Sequence, residues 1–112
     1  MLSYEEKQKV ETGLLESFWI KYQEYKEYVD NATPEQKETM YYKHRYNIAE
    51  GIKELYPTLD DDLKTIVDMR YWYKDYQSDW AEIADELLMS VNRAKRKRDI
   101  LIKRFSDAIG WV

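Results

Sequence analysis

The side chains best suited to chemistry in this sequence form a run of basic and amide groups near the C-terminus. An Arg can bind the edge of guanine in bidentate fashion, and an Asn can bind adenine in the same way. Lys and Arg side chains on the flanks of such a surface neutralise phosphates, which adds affinity without sequence choice. We therefore predict a surface for double-stranded DNA, formed by Ser90, Asn92, Arg93, Lys95, Arg96, Lys97, Lys103 and Arg104.

A single helix would place these groups on one side. Apolar residues recur there at steps of three and four, with Arg98 interrupting them, and they are Val91, Ala94, Leu101, Phe105 and Ala108. At about 100° per residue, Asn92, Arg96 and Lys103 lie opposite Ala94. A helix that recognises bases in the major groove needs an apolar side that packs on the protein and Arg and Asn on the opposite side. The alternative is a solvated helix that is merely basic, which leaves the pattern before it unexplained.

A second, shorter helix is predicted just before the basic one. Asp79 and Glu82 have the spacing of a capping box, and Ser78 is an alternative cap. Leu88-Met89 then forms a short connection, and Ser90 is suited to cap the basic helix. The inward face of the shorter helix is predicted to be Trp80, Ile83, Ala84 and Leu87.

Residues 70–105 resemble the region 4 helix-turn-helix of sigma factors. The matching residues follow in the same order, and they are Arg70-Tyr71-Trp72, Trp80, Glu82-Ile83-Ala84, Leu87, Met89-Ser90, Ala94 and Lys95. Leu88 stands where that family usually has Gly, a residue that tolerates a positive φ. Leu88 therefore implies either a strained turn or a turn of different shape.

The whole chain is similar to phage transcriptional regulators of the RinA and ArpU type. The resemblance implies a sequence-specific DNA-binding regulator encoded by a phage or prophage, which activates late, packaging or integration genes. The residues themselves show no catalytic, metal or cofactor motif, so no catalytic residue, no metal and no cofactor is predicted. Two alternatives stay open: a small terminase subunit for DNA packaging, and an interaction adaptor that contacts RNA polymerase.

The N-terminal half is predicted to be helical. Residues 4–29 form one long, aromatic-rich helix, in which Gly13 marks either a break or a close helix crossing. This helix is the candidate surface for a homodimer or higher homo-oligomer, because one small module would need a second copy to span two DNA half-sites. Thr33-Pro34-Glu35-Gln36 predicts the next helix start, and Pro57 ends that helix after Tyr56.

The apolar stripe of that second helix is predicted to include Met40, His44 and Ile48. His44 is the only histidine, and we interpret it as a packed core residue rather than a catalytic group. Asp60-Asp61-Asp62 could hold a divalent cation, but acidic residues in a first helical turn are also favoured by the helix dipole. We favour the helix start. The sequence contains none of the common nucleotide-binding, nucleophile or zinc motifs, so no enzyme activity is predicted.

Composition bounds these predictions. Cysteine is absent, charged residues make up 36%, and no apolar run approaches 18 residues, so a location in the bacterial cytoplasm without membrane contact is expected. The net charge is −4, yet residues 91–112 hold 7 Lys and Arg against 2 Asp and Glu. The predicted fold is all-α. A helical region of two to three helices at 1–57 precedes the helix-turn-helix domain at 58–112.

Overall fold

The computed structural model describes residues 3–73 and 77–111, and every regular element in those ranges is helical. This confirms the predicted all-α fold class. The α-helices are α1 (Tyr4–Ile20), α2 (Tyr22–Asn31), α3 (Met40–Leu55), α4 (Asp61–Ile66), α5 (Trp80–Leu87) and α6 (Val91–Ile109). Short 3₁₀ turns lie at Gln36–Glu38 and Tyr56–Thr58, and a π-helical turn continues α4 over Val67–Tyr71. Within the described ranges, no helix is both long and apolar enough to cross a bilayer.

The predicted long N-terminal helix is divided in two. Its break lies at Lys21, where ψ is 9°, and not at Gly13. The two helices pack differently on either side of the break. Helix α1 buries Leu15, Phe18 and Trp19 in the core, whereas α2 has no buried residue and packs along α3. A Cβ added at Gly13 would meet no atom of the described residues within 4 Å, so none of the helices given above crosses there. Both predicted explanations of Gly13 are therefore wrong within the single chain.

The predicted helix start at Thr33 forms a cap, but the helix does not continue from it. The Thr33 N–H donates to Gln36 Oε1 (2.8 Å), and the Gln36 N–H donates to Thr33 Oγ1 (3.2 Å). These bonds close only a 3₁₀ turn, because Thr39 adopts an extended backbone with ψ of 152°. Thr39 then caps α3 by accepting from the Tyr42 N–H. The helix ends at Leu55, and Pro57 lies in the 3₁₀ turn that follows it.

One hydrophobic core joins the residues on both sides of position 57. It is formed by side chains from α1, α3, α4, the π-helical turn, α5 and α6, with Trp19 and Phe105 in edge contact at its centre. Helices α3 and α6 approach closely at Gly51, where an added Cβ would lie 2.5 Å from Ile109 Cγ2. The stripe predicted for α3 is wrong at its N-terminal end. Met40 and His44 are exposed, and the buried part of α3 begins at Ile48. The His44 ring lies 5.8 Å from the ring of Phe18 in a T-shaped arrangement.

Candidate nucleic-acid interface

The two caps predicted for the helix-turn-helix are formed. Asp79 accepts from the Glu82 N–H (2.8 Å) while the Glu82 carboxylate accepts from the Asp79 N–H, which completes the capping box of α5. Ser90 Oγ accepts from the Arg93 N–H (3.2 Å) and starts α6. Ser78, the alternative cap, is buried instead, and its carbonyl accepts from Arg70 Nη1 (2.9 Å). Both helices therefore begin at the predicted positions.

Leu88 holds the turn between α5 and α6 in a left-handed conformation. Its φ is 56° and its ψ is 45°, in the region that favours Gly. The Met89 N–H donates to the Ala84 carbonyl (3.0 Å) and the Leu88 N–H to the Asp85 carbonyl (3.2 Å), as in a Schellman C-cap. The Leu88 side chain is 92% exposed. Of the two predicted possibilities, the structure shows the strained turn: the shape is that of a Gly turn, and Leu adopts it.

The inward side of α6 agrees with the prediction at Ala94, Leu101 and Phe105, which are all buried. Ala108 is exposed, and Ile102 is buried although the prediction omitted it. The reason is that α6 packs against α1 as well as α3, and Ile102 lies on the side that lines a groove with α1. The buried sector is therefore rotated toward α1 relative to the predicted stripe.

The outward side of α6 presents four of the predicted DNA-binding side chains in its first two turns. They are Asn92, Arg93, Lys95 and Arg96, and all four are exposed. Among the described residues, none of these four side chains forms an ion pair or a side-chain hydrogen bond. Asn92 and Arg96 lie within about 40° of each other when the helix is viewed along its axis. This part of the helix therefore offers free amide and guanidinium groups near the helix N-terminus.

The three other basic residues of the predicted surface have partners inside the protein. Lys97 Nζ lies 3.0 Å from an Asp62 carboxylate oxygen on α4, and Arg104 Nη2 donates to Thr58 Oγ1 (3.0 Å). Lys103 pairs with Asp107 one turn later (3.1 Å), and both of those side chains are mostly exposed. Exposed pairs contribute little stability, so Lys103 can exchange its partner at small cost. The predicted surface thus divides into a free N-terminal half and a paired C-terminal half.

Arg98, which interrupts the apolar stripe, connects α6 to the rest of the protein. Its Nε lies 2.7 Å from Asp99 Oδ1, and its Nη1 lies 3.4 Å from Glu16 Oε1 on α1. The guanidinium also sits over the ring of Trp80, 5.2 Å from its centroid, and Arg70 approaches the same ring at 5.3 Å. Arg98 therefore fixes the position of the candidate recognition helix and is itself only 18% exposed.

Glu16 and Tyr71 complete this connection, which no local spacing of residues indicates. The Tyr71 hydroxyl donates to Glu16 Oε2 (2.6 Å), and burial raises the pKa of Tyr71 far above its ordinary value, with the neighbouring Glu16 charge adding to the effect. Trp72 Nε1 donates to the Trp19 carbonyl (2.9 Å). Tyr71 and Trp72, from the aromatic run after α4, thus pack between the helices, whereas Tyr76 of the same run lies outside the described residues.

The acidic cluster at the start of α4 has structural roles. Asp60 caps the helix by accepting from the Leu63 N–H (2.9 Å), and Asp62 pairs with Lys97. In the part of the chain that the structure describes, no group of three His, Cys, Asp or Glu side chains is arranged to hold a metal ion. The geometry of Asp60 and Asp62 therefore accounts for two of the three carboxylates through helix capping and ion pairing.

Comparison of the chain with protein-family models, with curated proteins and with solved structures finds no match.

Proposed function

We propose that this protein is a sequence-specific regulator of transcription that binds double-stranded DNA through α6. The observation that carries the proposal is the outward face of the first two turns of α6, where Asn92, Arg93 and Arg96 are exposed and their side chains have no ion-pair or hydrogen-bond partner within residues 3–73 and 77–111. Asn and Arg are the side chains that recognise adenine and guanine in the major groove. Their position at the N-terminal end matches how the second helix of a helix-turn-helix meets bases.

The support around this face is rigid, as base recognition requires. Caps at Asp79 and Ser90 fix both helix starts, and Leu88 fixes the turn between them. The contact of Arg98 with Glu16 ties α6 to α1. A helix that is capped at its start and held along its back presents its outward groups in one orientation, which direct readout of bases needs.

Charge separation supports the same orientation on DNA. Residues 91–112 hold 7 Lys and Arg against 2 Asp and Glu, although the chain as a whole carries a net charge of −4. Such a molecule is attracted to phosphates at its basic end and repelled elsewhere. In this proposal Lys95 contacts phosphate directly, and Lys97, Lys103 and Arg104 contribute when they exchange their internal partners. Phage origin and activation of late, packaging or integration genes are further parts of the proposal that derive from the resemblance.

The proposal is tested by measuring the affinity for short duplexes over a series of salt concentrations. We expect log K to fall linearly with log salt, with a slope of about −0.9 for each phosphate contacted. Lys95→Ala should make the slope shallower by the contribution of about one phosphate contact. Lys37→Ala removes an exposed charge on the turn between α2 and α3 and should leave the slope unchanged. Equal effects of both variants would show non-specific attraction to the whole protein.

A specific observation also favours a second function, an adaptor that contacts RNA polymerase. Ile100 lies on the outward side of α6 among the basic residues and is 55% exposed. An exposed aliphatic group suits a protein partner better than a phosphate backbone, although it can also contact a thymine methyl group. Ile100→Ser separates the two functions, because an adaptor would lose its protein partner while DNA binding by a regulator would keep its salt slope.

A further inference from the structure

The outward face of α1 is apolar where solvent contact is expected. Leu15, Phe18 and Trp19 point into the core, yet on other sides of the same helix Val10 is 61% exposed, Ile20 is 45% exposed and Leu14 is 43% exposed. The solvated side of a helix usually carries charged and polar residues. Gly is unfavourable in a helix interior, and no packing among the residues that the structure describes accounts for Gly13.

Charges lie only at the two ends of this face. At about 100° per residue, a sector of about 120° on the side of α1 away from the core is occupied by Glu6, Val10, Gly13, Leu14, Ser17, Ile20 and Lys21, and the exposed Lys7 and Lys9 lie just outside its two edges. Glu6 stands at one end and Lys21 at the other, both are exposed, and neither side chain forms an ion pair among the described residues. The Ser17 hydroxyl donates to the Leu14 carbonyl in the same helix, so its polar group is already satisfied. The centre of the face therefore presents no charge and no unpartnered hydroxyl.

We propose that this face, from Glu6 to Lys21, binds a second copy of the chain through antiparallel pairing of the two α1 helices. With the two-fold axis between Gly13 and Leu14, Glu6 of each copy lies opposite the partner's Lys21, so the interface contains two attractive charge pairs. Gly13 lies opposite the partner's Leu14, and the missing side chain lets the helices approach. A parallel pair would instead place Glu6 against the partner's Glu6, so the charges select the antiparallel arrangement.

A second copy is the occupant that this face fits, because the face is complementary to itself. A two-fold interface requires the same patch on both subunits, and a patch with an acidic end, an apolar centre and a basic end meets that requirement. One helix pair buries less than the roughly 800 Å² per partner of a standard interface, so the dimer is weak and depends on concentration. Phe18 and Trp19, two aromatic residues of the N-terminal helix that the sequence predicts as the dimer surface, are buried in the core of the chain. This inference stands without DNA binding.

Sedimentation equilibrium of the full chain without DNA tests the proposal. The variants are Glu6→Lys, Lys21→Glu and the double variant that carries both changes. We expect each single change to weaken the dimer about fivefold to tenfold, because it turns two attractive pairs into repulsive ones. The double variant exchanges the two charges and should restore the dimer to within about threefold of the unmodified chain.

Two further variants control the experiment. Glu5→Lys makes the same charge change in the same first turn of α1 but on another side of the helix, and it should leave the dimer unchanged. Leu14→Glu places charge at the centre and should abolish the dimer, while circular dichroism checks that the monomer remains folded. A chain that is monomeric at all concentrations, a double variant as weak as the single ones, or equal loss from Glu5→Lys would overturn the proposal.

Discussion

Arg98 of α6 and Glu16 of α1 form an ion pair across 82 positions of the sequence, with Nη1 and Oε1 3.4 Å apart. The two side chains are 18% and 17% exposed, so solvent screens the pair only in part. Glu16 also accepts from the Tyr71 hydroxyl, which brings the π-helical turn into the same connection. The candidate DNA-binding helix is thus positioned by the N-terminal helix and not by the helix-turn-helix alone.

Removing one member of this pair should cost more than removing both charges. We expect Arg98→Met to lower the free energy of unfolding by about 1–3 kcal/mol, because Glu16 is left largely buried without its cation. The double variant Arg98→Met with Glu16→Gln should recover part of that loss. Urea denaturation of the four proteins measures the coupling, and strictly additive losses would contradict a direct interaction.

Tyr71 should make the protein sensitive to alkaline conditions. Because burial raises the pKa of Tyr71 in the folded chain above its unfolded value near 10, the stabilisation from the neutral phenol is complete below pH 10 and declines as the pH rises above it. Each such phenol adds a slope of about 1.4 kcal/mol per pH unit above pH 10. Tyr71→Phe should make the alkaline limb shallower by about that amount in unfolding experiments from pH 8 to 11. An unchanged alkaline limb would mean that Tyr71 ionises as readily in the folded chain.

Leu88→Gly should stabilise the protein. Leu pays about 1–2 kcal/mol for the left-handed conformation, and its exposed side chain contributes little packing in return. After the entropy cost of Gly in the unfolded chain, we expect a net gain of about 0.5–1 kcal/mol in urea denaturation. Leu88→Val, with its β-branch, should be less stable than the unmodified chain. A loss of stability in Leu88→Gly would show that the Leu88 side chain makes a stabilising contact despite its exposure.

The same substitution should have opposite effects at two glycines. Gly51→Ala places a Cβ 2.5 Å from the branched Ile109 side chain, so we expect a loss of about 1–3 kcal/mol as α3 and α6 move apart. Gly13→Ala meets nothing and should gain about 1 kcal/mol from helix propensity. Thermal denaturation at concentrations where the chain is monomeric measures both. Equal changes in stability of the same sign for both variants would contradict a close crossing of α3 and α6 at Gly51.

Substitution of Arg96 and substitution of Lys103 should affect DNA binding differently. Arg96→Ala should cost about 1–3 kcal/mol on the preferred sequence and relax the choice of base. Lys103→Ala should weaken all sequences alike and lower the salt slope by about one contact, because its partner Asp107 is exposed and readily released. Competition binding against preferred and scrambled duplexes distinguishes these outcomes. If Arg96→Ala lost affinity equally on both duplexes, Arg96 would be a phosphate contact.

Local signals in the sequence were sufficient to predict the helix-turn-helix. The capping box at Asp79 and the hydroxyl of Ser90 act within one helical turn, so their effect is visible in the order of residues alone. The order could not decide the shape of the turn at Leu88, because strain there depends on how firmly the two flanking helices are held. The exposure of Asn92, Arg93 and Arg96 agrees with the predicted orientation of α6, and their role in DNA binding stays a prediction.

Features that depend on distant parts of the chain were missed or misplaced. The ion pair between Arg98 and Glu16 joins residues 82 positions apart, so no local spacing predicts it. The break at Lys21 reflects a change of packing partner between α1 and α2. Gly13 and Gly51 look alike in sequence, and only the position of α6 decides that Gly51 is the close crossing. The Thr33 cap has the local pattern of a long helix start, yet the extended backbone at Thr39 ends it after one turn.

Selection from a pool of random duplexes at two salt concentrations measures whether α6 recognises a DNA sequence. We expect the full chain to enrich one motif that is still retained at the higher salt, and Arg96→Ala to broaden that motif at defined positions. Uniform recovery that disappears with salt, for both proteins alike, would contradict this expectation and would leave the basic face of α6 as charge without recognition.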